Sequence, residues 1–331
     1  MQRILQPGQI ESLAQRSIPR IRLPRPAEVF SSRAARLREL AAGNAIGDYL
    51  RLMATLVEAQ HVALLECAKI DAGAADSGQL ALAREHHMPL LQAAGRRREH
   101  GWRDLLMQLC AAVAAAKGFP ASVADTCARI VQAPHDEIEA QADALLTARH
   151  AEVDGAMAPF VMAALQVCWV DMASRFALAD VQPLDIPGIC PVCGTLPVAS
   201  IIRTEQPYQG YRFLHCALCA TEWHMVRVMC TQCQATKDIG YHSIDGAADG
   251  GQEPTRAGQE SKCREGHGWP GAAAESCETC HTYRKILYRE KDSGVDPVAD
   301  DLATVTLDLL MTEAGYHRGS GNPLLWQNPE A

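Results

Sequence analysis

Aromatic side chains are scarce in this chain, at 5% of 331 residues. Basic charge is not in excess either: 31 Lys plus Arg stand against 39 Asp plus Glu, a net charge of −8, with a pI near 5.8. A general nucleic-acid binder needs surplus positive surface to displace counterions from phosphates, so no nucleic-acid partner is expected. A long uncharged apolar run is also missing. The most apolar stretch, "APFVMAALQVCWVDMASRFALA", carries Gln166, Asp171 and Arg175, whereas a membrane span needs about 20 nearly uncharged residues. It reads as a buried core helix, and no membrane insertion is expected. The start, "MQRILQPGQIESLAQ", has no apolar h-region and so no secretory signal; a cytoplasmic location is expected. No P-loop, dinucleotide fingerprint, nucleophile elbow or HExxH motif occurs, and the chain does not read as an enzyme.

What the chain does have is cysteine: 13 of them. Without a secretory signal they point to a reducing compartment, where repeated pairs bind metal or do redox work more often than they form disulfides. Eight form four Cys-x-x-Cys pairs: Cys190 with Cys193, Cys216 with Cys219, Cys230 with Cys233, and Cys277 with Cys280. Two such turns make a tetrahedral S₄ site suited to zinc or iron, so eight cysteines make two complete sites with none left over. A thioredoxin-type dithiol would need a βαβ context, which is absent. Sequential pairing is expected, Cys190, Cys193, Cys216 and Cys219 on one ion and Cys230, Cys233, Cys277 and Cys280 on the other, because each site then closes its own shorter loop. Interleaved and nested pairings remain open at this point. His215 and His281 adjoin ligand cysteines but are not needed to complete either shell. Four thiolates close the coordination sphere, which fits structural zinc, or structural or electron-transferring iron.

The pattern around these pairs predicts an α+β protein: an N-terminal α-helical bundle, two small rubredoxin-like (zinc-ribbon-like) metal modules, and a C-terminal helix. Residues 1–29 read as an extended Arg/Pro-rich arm. Residues 1–45 hold eight Arg and three acidic residues, a solvated tail or a docking arm for an acidic surface. Residues 30–185 read as helical, with Leu50, Met53, Val57, His61 and Leu64 forming one stripe. The first module is placed at 186–228 and the second at 229–292. Strands are expected in "LPVASIIRT", "YRFLHC", "EWHMVRVMC" and "RKILYRE", and a mobile Gly-rich loop from Ser243 to Ser276. The final segment, 293–331, reads as one helix capped by Asp296, with Pro297 at its first position, Asp300 and Asp301 complementing its dipole, and Val298, Leu302, Val305 and Leu309 as its apolar stripe. Cys67, Cys110, Cys127 and Cys168 read as small core residues, Cys263 as a surface thiol of unassigned role, and His86 and His87 as surface histidines.

The motifs "CPVCGTLPVASII", "YRFLHCALCATEWHMVRVMCTQC", "ESCETCHTYRKILYREKD", "DPVADDLATVTLDLLM" and "GSGNPLL" resemble the formate dehydrogenase accessory protein FdhE family. The resemblance implies a cytoplasmic, non-enzymatic maturation factor, needed for active formate dehydrogenase and binding its catalytic subunit. It implies iron at rubredoxin-like motifs, carried here by the eight paired cysteines, with zinc as the alternative. A homodimer is compatible with it, and an electron-transfer partner is the competing function. The stretch from about Asp245 to Gly271 departs from the family's shorter connection. Only the first pair has the rubredoxin-style trailing glycine, Gly194; Ala220, Gln234 and His281 follow the others, which reads as looser turns.

Overall fold

The computed structural model describes residues 20–66, 77–98, 101–244, 269 and 271–325. Cys67, Cys263 and the first part of the arm lie outside the described residues. Helix α1 (Pro26–Leu40) starts on a proline at its first position and buries Phe30, Ala34, Leu37 and Leu40. It packs against α2 (Gly47–Glu66), whose buried face includes Leu50, Met53, Val57 and Leu64, the stripe read from the sequence. Gly47 is required at that turn, since a Cβ there would lie 2.4 Å from the Ala41 carbonyl oxygen.

Four further helices complete the N-terminal half after α3 (Ser77–Glu85): α4 (Gly101–Ala115), α5 (Ala121–Gln132), α6 (His135–Leu146) and α7 (Ala158–Ser174). Pro120 and Pro134 stand immediately before α5 and α6, where a missing N–H costs no helical bond. Helix α7 is apolar on all sides and buried from Ala158 through Val170, as a helix sealed inside a core must be. Among the described residues no helix is long and apolar enough to cross a membrane. Within α7, Gln166 is the buried polar exception. The Gln60 amide donates to Gln166 Oε1 at 3.0 Å, and Gln166 donates in turn to the Ala217 carbonyl at 2.7 Å. That chain of amides connects α2, α7 and the cysteine-bearing half.

The second half is a single sheet. Its strands are β1 (Ile21–Arg22), β2 (Pro197–Ile202), β3 (Arg212–Cys216), β4 (Glu222–Met225), β5 (Ile239–His242), β6 (Ala272–Cys277), β7 (Thr282–Tyr288) and β8 (His317–Arg318). The order is β1-β4-β3-β2-β7-β6-β5, with β8 also pairing β7. Neighbours are antiparallel except β7 with β8 and β2 with β7; in the latter, Ser200 faces Ile286 and Ile202 faces Tyr288. The two cysteine modules are therefore not separate: that parallel pair fuses them edge to edge.

Three sequence expectations change. Strand β6 occupies the end of the segment read as a loop; its Ala-rich sequence carries little strand propensity, yet it pairs with both β5 and β7. The arm is not free from Arg20 onward: Ile21 pairs with Trp223, and Arg22 is bonded to Glu222. The C-terminal helix is two helices, α8 (Ala299–Ala303) and α9 (Val305–Glu313), broken at Thr304 with φ −101° and ψ 34°. At the break the Lys285 ammonium donates to the carbonyls of Asp301 and Thr304 at 2.7 and 3.0 Å. The phase shifts, so Leu307 and Met311 are buried while Leu309 is 61% exposed. Asp296 does cap the segment, accepting from the N–H groups of Val298 and Ala299.

Candidate metal centres

Each Cys-x-x-Cys pair sits in the same backbone turn. The residue after the second cysteine has a left-handed conformation in all four: Gly194 (φ 76°), Ala220 (55°), Gln234 (63°) and His281 (51°). The absence of glycine from three of them does not loosen the turn; it places a side chain in a backbone region costing about 1–2 kcal/mol for a non-glycine residue. The turn is tied by i+4 bonds from the N–H of Gly194, Gln234 and His281 to the carbonyls of Cys190, Cys230 and Cys277, at 2.9, 3.1 and 2.9 Å. The N–H of Cys190, Cys216 and Cys230 in turn donates to the carbonyl five residues on. Backbone donors thereby point at sulfur: Leu218 and Cys219 donate to Cys216 Sγ at 3.3 Å, and Gln232 to Cys230 Sγ at 3.4 Å.

The four turns converge in two groups. Cys190, Cys193, Cys216 and Cys219 form one, and Cys230, Cys233, Cys277 and Cys280 the other, with all sulfurs of a group within 4.8 Å of one another. The sequential grouping follows from the sheet: β2–β3 joins the first two turns, and β5–β6–β7 the last two. Contacts of 3.5 Å (Cys190 to Cys219), 3.3 Å (Cys193 to Cys216) and 3.6 Å (Cys230 to Cys280, and Cys233 to Cys277) are close to the edge of about 3.8 Å for a tetrahedron with metal–sulfur bonds near 2.3 Å. Four soft sulfurs, with N–H groups pointed at them, fit zinc or iron.

Hydroxyls add a feature that the spacing alone did not reveal. Thr195 Oγ1 lies 3.1 Å from both Cys193 and Cys216 Sγ, Thr221 Oγ1 3.2 Å from Cys219 Sγ, and Thr282 Oγ1 3.0 Å from Cys280 Sγ. In each case the threonine stands two residues after the second cysteine. The signal was available as C-x-x-C-x-T in three pairs; Ala235 is the exception. Such donors offset thiolate charge and orient the sulfurs.

The two groups differ in their surroundings. All four cysteines of the first are buried and belong to the hydrophobic core that includes Leu165, Trp169 and Val161 of α7. The chain just after α3 lies along its first turn: Leu91 and Ala93 donate to the carbonyls of Val192 and Cys193 at 2.7 and 2.9 Å. The Trp169 indole holds Leu91 from the other side. Burial pushes the Cys190 and Cys219 thiols up, while the hydrogen bonds converging on Cys216 from Cys190, Cys193, Cys219 and Thr195 outweigh burial and hold it down. In the second group Cys233 is exposed and Cys280 partly so. Its third turn is anchored to the first module by Arg284, which donates to Thr231 Oγ1 at 2.9 Å and to the Pro197 carbonyl. Burial, with Arg318 and Arg212 nearby, lowers that guanidinium to about 9.

His215 turns away from the sulfurs and toward Glu222, with Nδ1 3.1 Å from Oε1. Glu222 is also bonded to Arg22 and Arg203. Burial would raise its carboxyl, but Arg203, His215 and Arg22 hold it well below the usual carboxylate range. His281 belongs to no four-sulfur group. Asp300 and Asp301 are buried ion-pair partners as well as helix-start charges: Asp300 meets Arg36 at 2.7 Å, and Asp301 meets Arg318 and Asn322. Cys110, Cys127 and Cys168 are buried outside both groups, and His86 and His87 are exposed.

Family models match nearly the whole chain in three consecutive pieces: "FdhE, N-terminal" over residues 18–185, "FdhE, central domain" over 189–227 and "FdhE, C-terminal domain" over 228–325. A protein named Protein FdhE homolog from Cronobacter sakazakii is 37% identical over 329 residues, covering 98% of this chain and 97% of that one. Protein FdhE of Salmonella paratyphi A is 36% identical over 321 residues, 96% of this chain and 95% of the relative. The crystal structure of the FdhE protein from Pseudomonas aeruginosa superposes with a TM-score of 0.74 at 32% identity, covering 93% of this chain and 99% of that chain. With family models over residues 18–185, 189–227 and 228–325 and relatives 36–37% identical along almost its whole length, this chain belongs to the FdhE family.

Proposed function

We propose that this protein is a non-enzymatic accessory factor needed for active formate dehydrogenase, and that it acts in the cytoplasm by docking on the catalytic subunit of that enzyme. Cys190, Cys193, Cys216 and Cys219 hold one metal ion and Cys230, Cys233, Cys277 and Cys280 a second. Iron is the assigned metal and zinc the alternative. The observation that carries this reading is the pair of closed four-sulfur groups built into one sheet. A catalytic metal keeps an open position, commonly with His or carboxylate ligands, whereas four thiolates leave none. When bound, such an ion supplies folding energy and, if it is iron, a one-electron couple. The helical half supplies contact surface.

One specific observation favours a second reading, that of a rubredoxin-like electron-transfer partner. Cys233 is exposed at the second group, which brings a ligand sulfur within reach of a partner. Anaerobic purification followed by metal analysis and an optical spectrum tests the metal assignment: two equivalents with visible thiolate-to-iron absorption are expected, and a colourless zinc protein overturns iron. Pull-down of the formate dehydrogenase catalytic subunit tests the accessory role, and its absence from the wild-type complex overturns it. Rapid reversible electron exchange with that subunit would favour the second reading.

A further inference from the structure

Beside the first cysteine group lies a cleft of about 750 Å³ between α1, β1 and the turn from Arg289 to Pro297. Six arginines and five carboxylates line it. Most are matched in ion pairs: Arg22 and Arg203 with Glu222 and Glu205, and Arg25 with Glu28. Three groups are not fully matched. Arg33 is only 1% exposed, yet its one ion pair is from Nε to Asp296 Oδ1 at 3.2 Å. Arg289 forms no salt bridge among the described residues and donates to the Ser293 carbonyl. His215 is 6% exposed, and its Nε2 is buried with no hydrogen-bond partner. The Glu222 carboxylate can only accept, so His215 Nδ1 donates to it.

Buried polar groups in a native fold are satisfied by protein, water or ligand. Two guanidiniums lining one cleft with N–H groups left over can hold an oxyanion between them. We propose that this cleft binds a carboxylate ligand, with its oxyanion on Arg33 and Arg289. Two sources share that chemistry: an acidic polypeptide segment and a free polycarboxylic acid. The polypeptide source rests on the accessory-factor reading, the free acid does not. Because His215 and Ala220 adjoin Cys216 and Cys219, the occupant lies against the second turn of the first cysteine group.

Isothermal titration of the full metal-loaded chain distinguishes the possibilities. The probes are acetyl-tetraglutamate amide, citrate, and acetyl-tetralysine amide as the control. Saturable binding of the glutamate peptide or of citrate, with no binding of the lysine peptide, is the expected result. Arg289→Ala should weaken it roughly tenfold, the effect of one lost charge-assisted hydrogen bond. Arg33→Met should weaken it further; should that variant fail to fold, Arg289→Glu at the accessible rim serves instead. Peptide binding without citrate binding identifies a polypeptide source, and the converse a small acid. Absence of binding by both acidic probes, or wild-type affinity in the Arg289 variants, overturns the site. A wild-type protein that captures the formate dehydrogenase catalytic subunit but binds neither probe separates the failure of this site from that of the accessory role.

Discussion

Arg212 of β3 and Glu275 of β6 are 63 residues apart in sequence, yet their side chains meet at 2.7 Å with almost no exposure. The pair crosses from the first cysteine module to the second. Arg212 donates as well to Ser200 and to the carbonyls of Val226, Arg227 and Met229. Removing one partner of a buried pair leaves an uncompensated charge and costs about 3–5 kcal/mol. Arg212→Met is therefore expected to lower stability by roughly that amount in urea unfolding. Adding Glu275→Leu should recover part of the loss, and a double variant no better than the single one would argue against the pair as the cause.

Metal release should occur in two steps. Cys233 of the second group is exposed, whereas the first group is buried in the helical core. A chelator is expected to empty the second group first, with little change in helix content by circular dichroism. Loss of the first ion should follow more slowly and reduce helix content, because its cysteines share a core with α7. Cys277→Ser should abolish the fast phase alone, as read by metal analysis against time.

Left-handed backbone at the four cysteine turns makes another prediction. Gln234→Gly should stabilise the metal-loaded protein by about 1 kcal/mol, since glycine adopts that conformation without the Cβ clash. Gly194→Ala should destabilise by a similar or larger amount, because a Cβ there would also lie 3.1 Å from the Pro89 ring. Chemical denaturation of both variants checks the opposite signs.

Acid should act through Glu222. Its carboxyl ionises more readily in the folded protein than in the unfolded chain. Its contribution is complete above the unfolded carboxylate pKa of about 4.3 and is lost as pH falls through the lower folded value. Thermal melting between pH 5 and pH 2, on protein with its metal content monitored, should show a steeper decline for the wild type than for Glu222→Gln. Equal slopes would remove Glu222 as the source.

Much of this architecture could be read from residues. Pro120 and Pro134 mark the starts of α5 and α6, and the cysteine spacing marked both four-sulfur groups and their order. What stayed hidden depends on residues far apart in the chain. Glu222 gathers Arg22 from 200 positions earlier, and Arg36 reaches Asp300 across 264; local pattern carries no trace of such pairs. The break at Thr304 left no local signal, and its Asp301 and Thr304 carbonyls bond Lys285 of β7. Strand β6 was missed because Ala272, Ala273 and Ala274 become strand through their neighbours on both sides, not through their own preference.

The parallel pairing of β2 with β7 bears on how this protein avoids aggregation. A β-strand with unpaired N–H and C=O groups along one side is a template for any other chain that can add to it. Cut at the boundary between residues 227 and 228, the first piece would carry β2 as a bare border and the second the Ile286–Tyr288 end of β7, exposing Ile201, Ile202, Ile286 and Leu287 that the joined sheet buries. Each half shields the other's border, so resistance to aggregation belongs to the joined pair and not to either cysteine module taken alone.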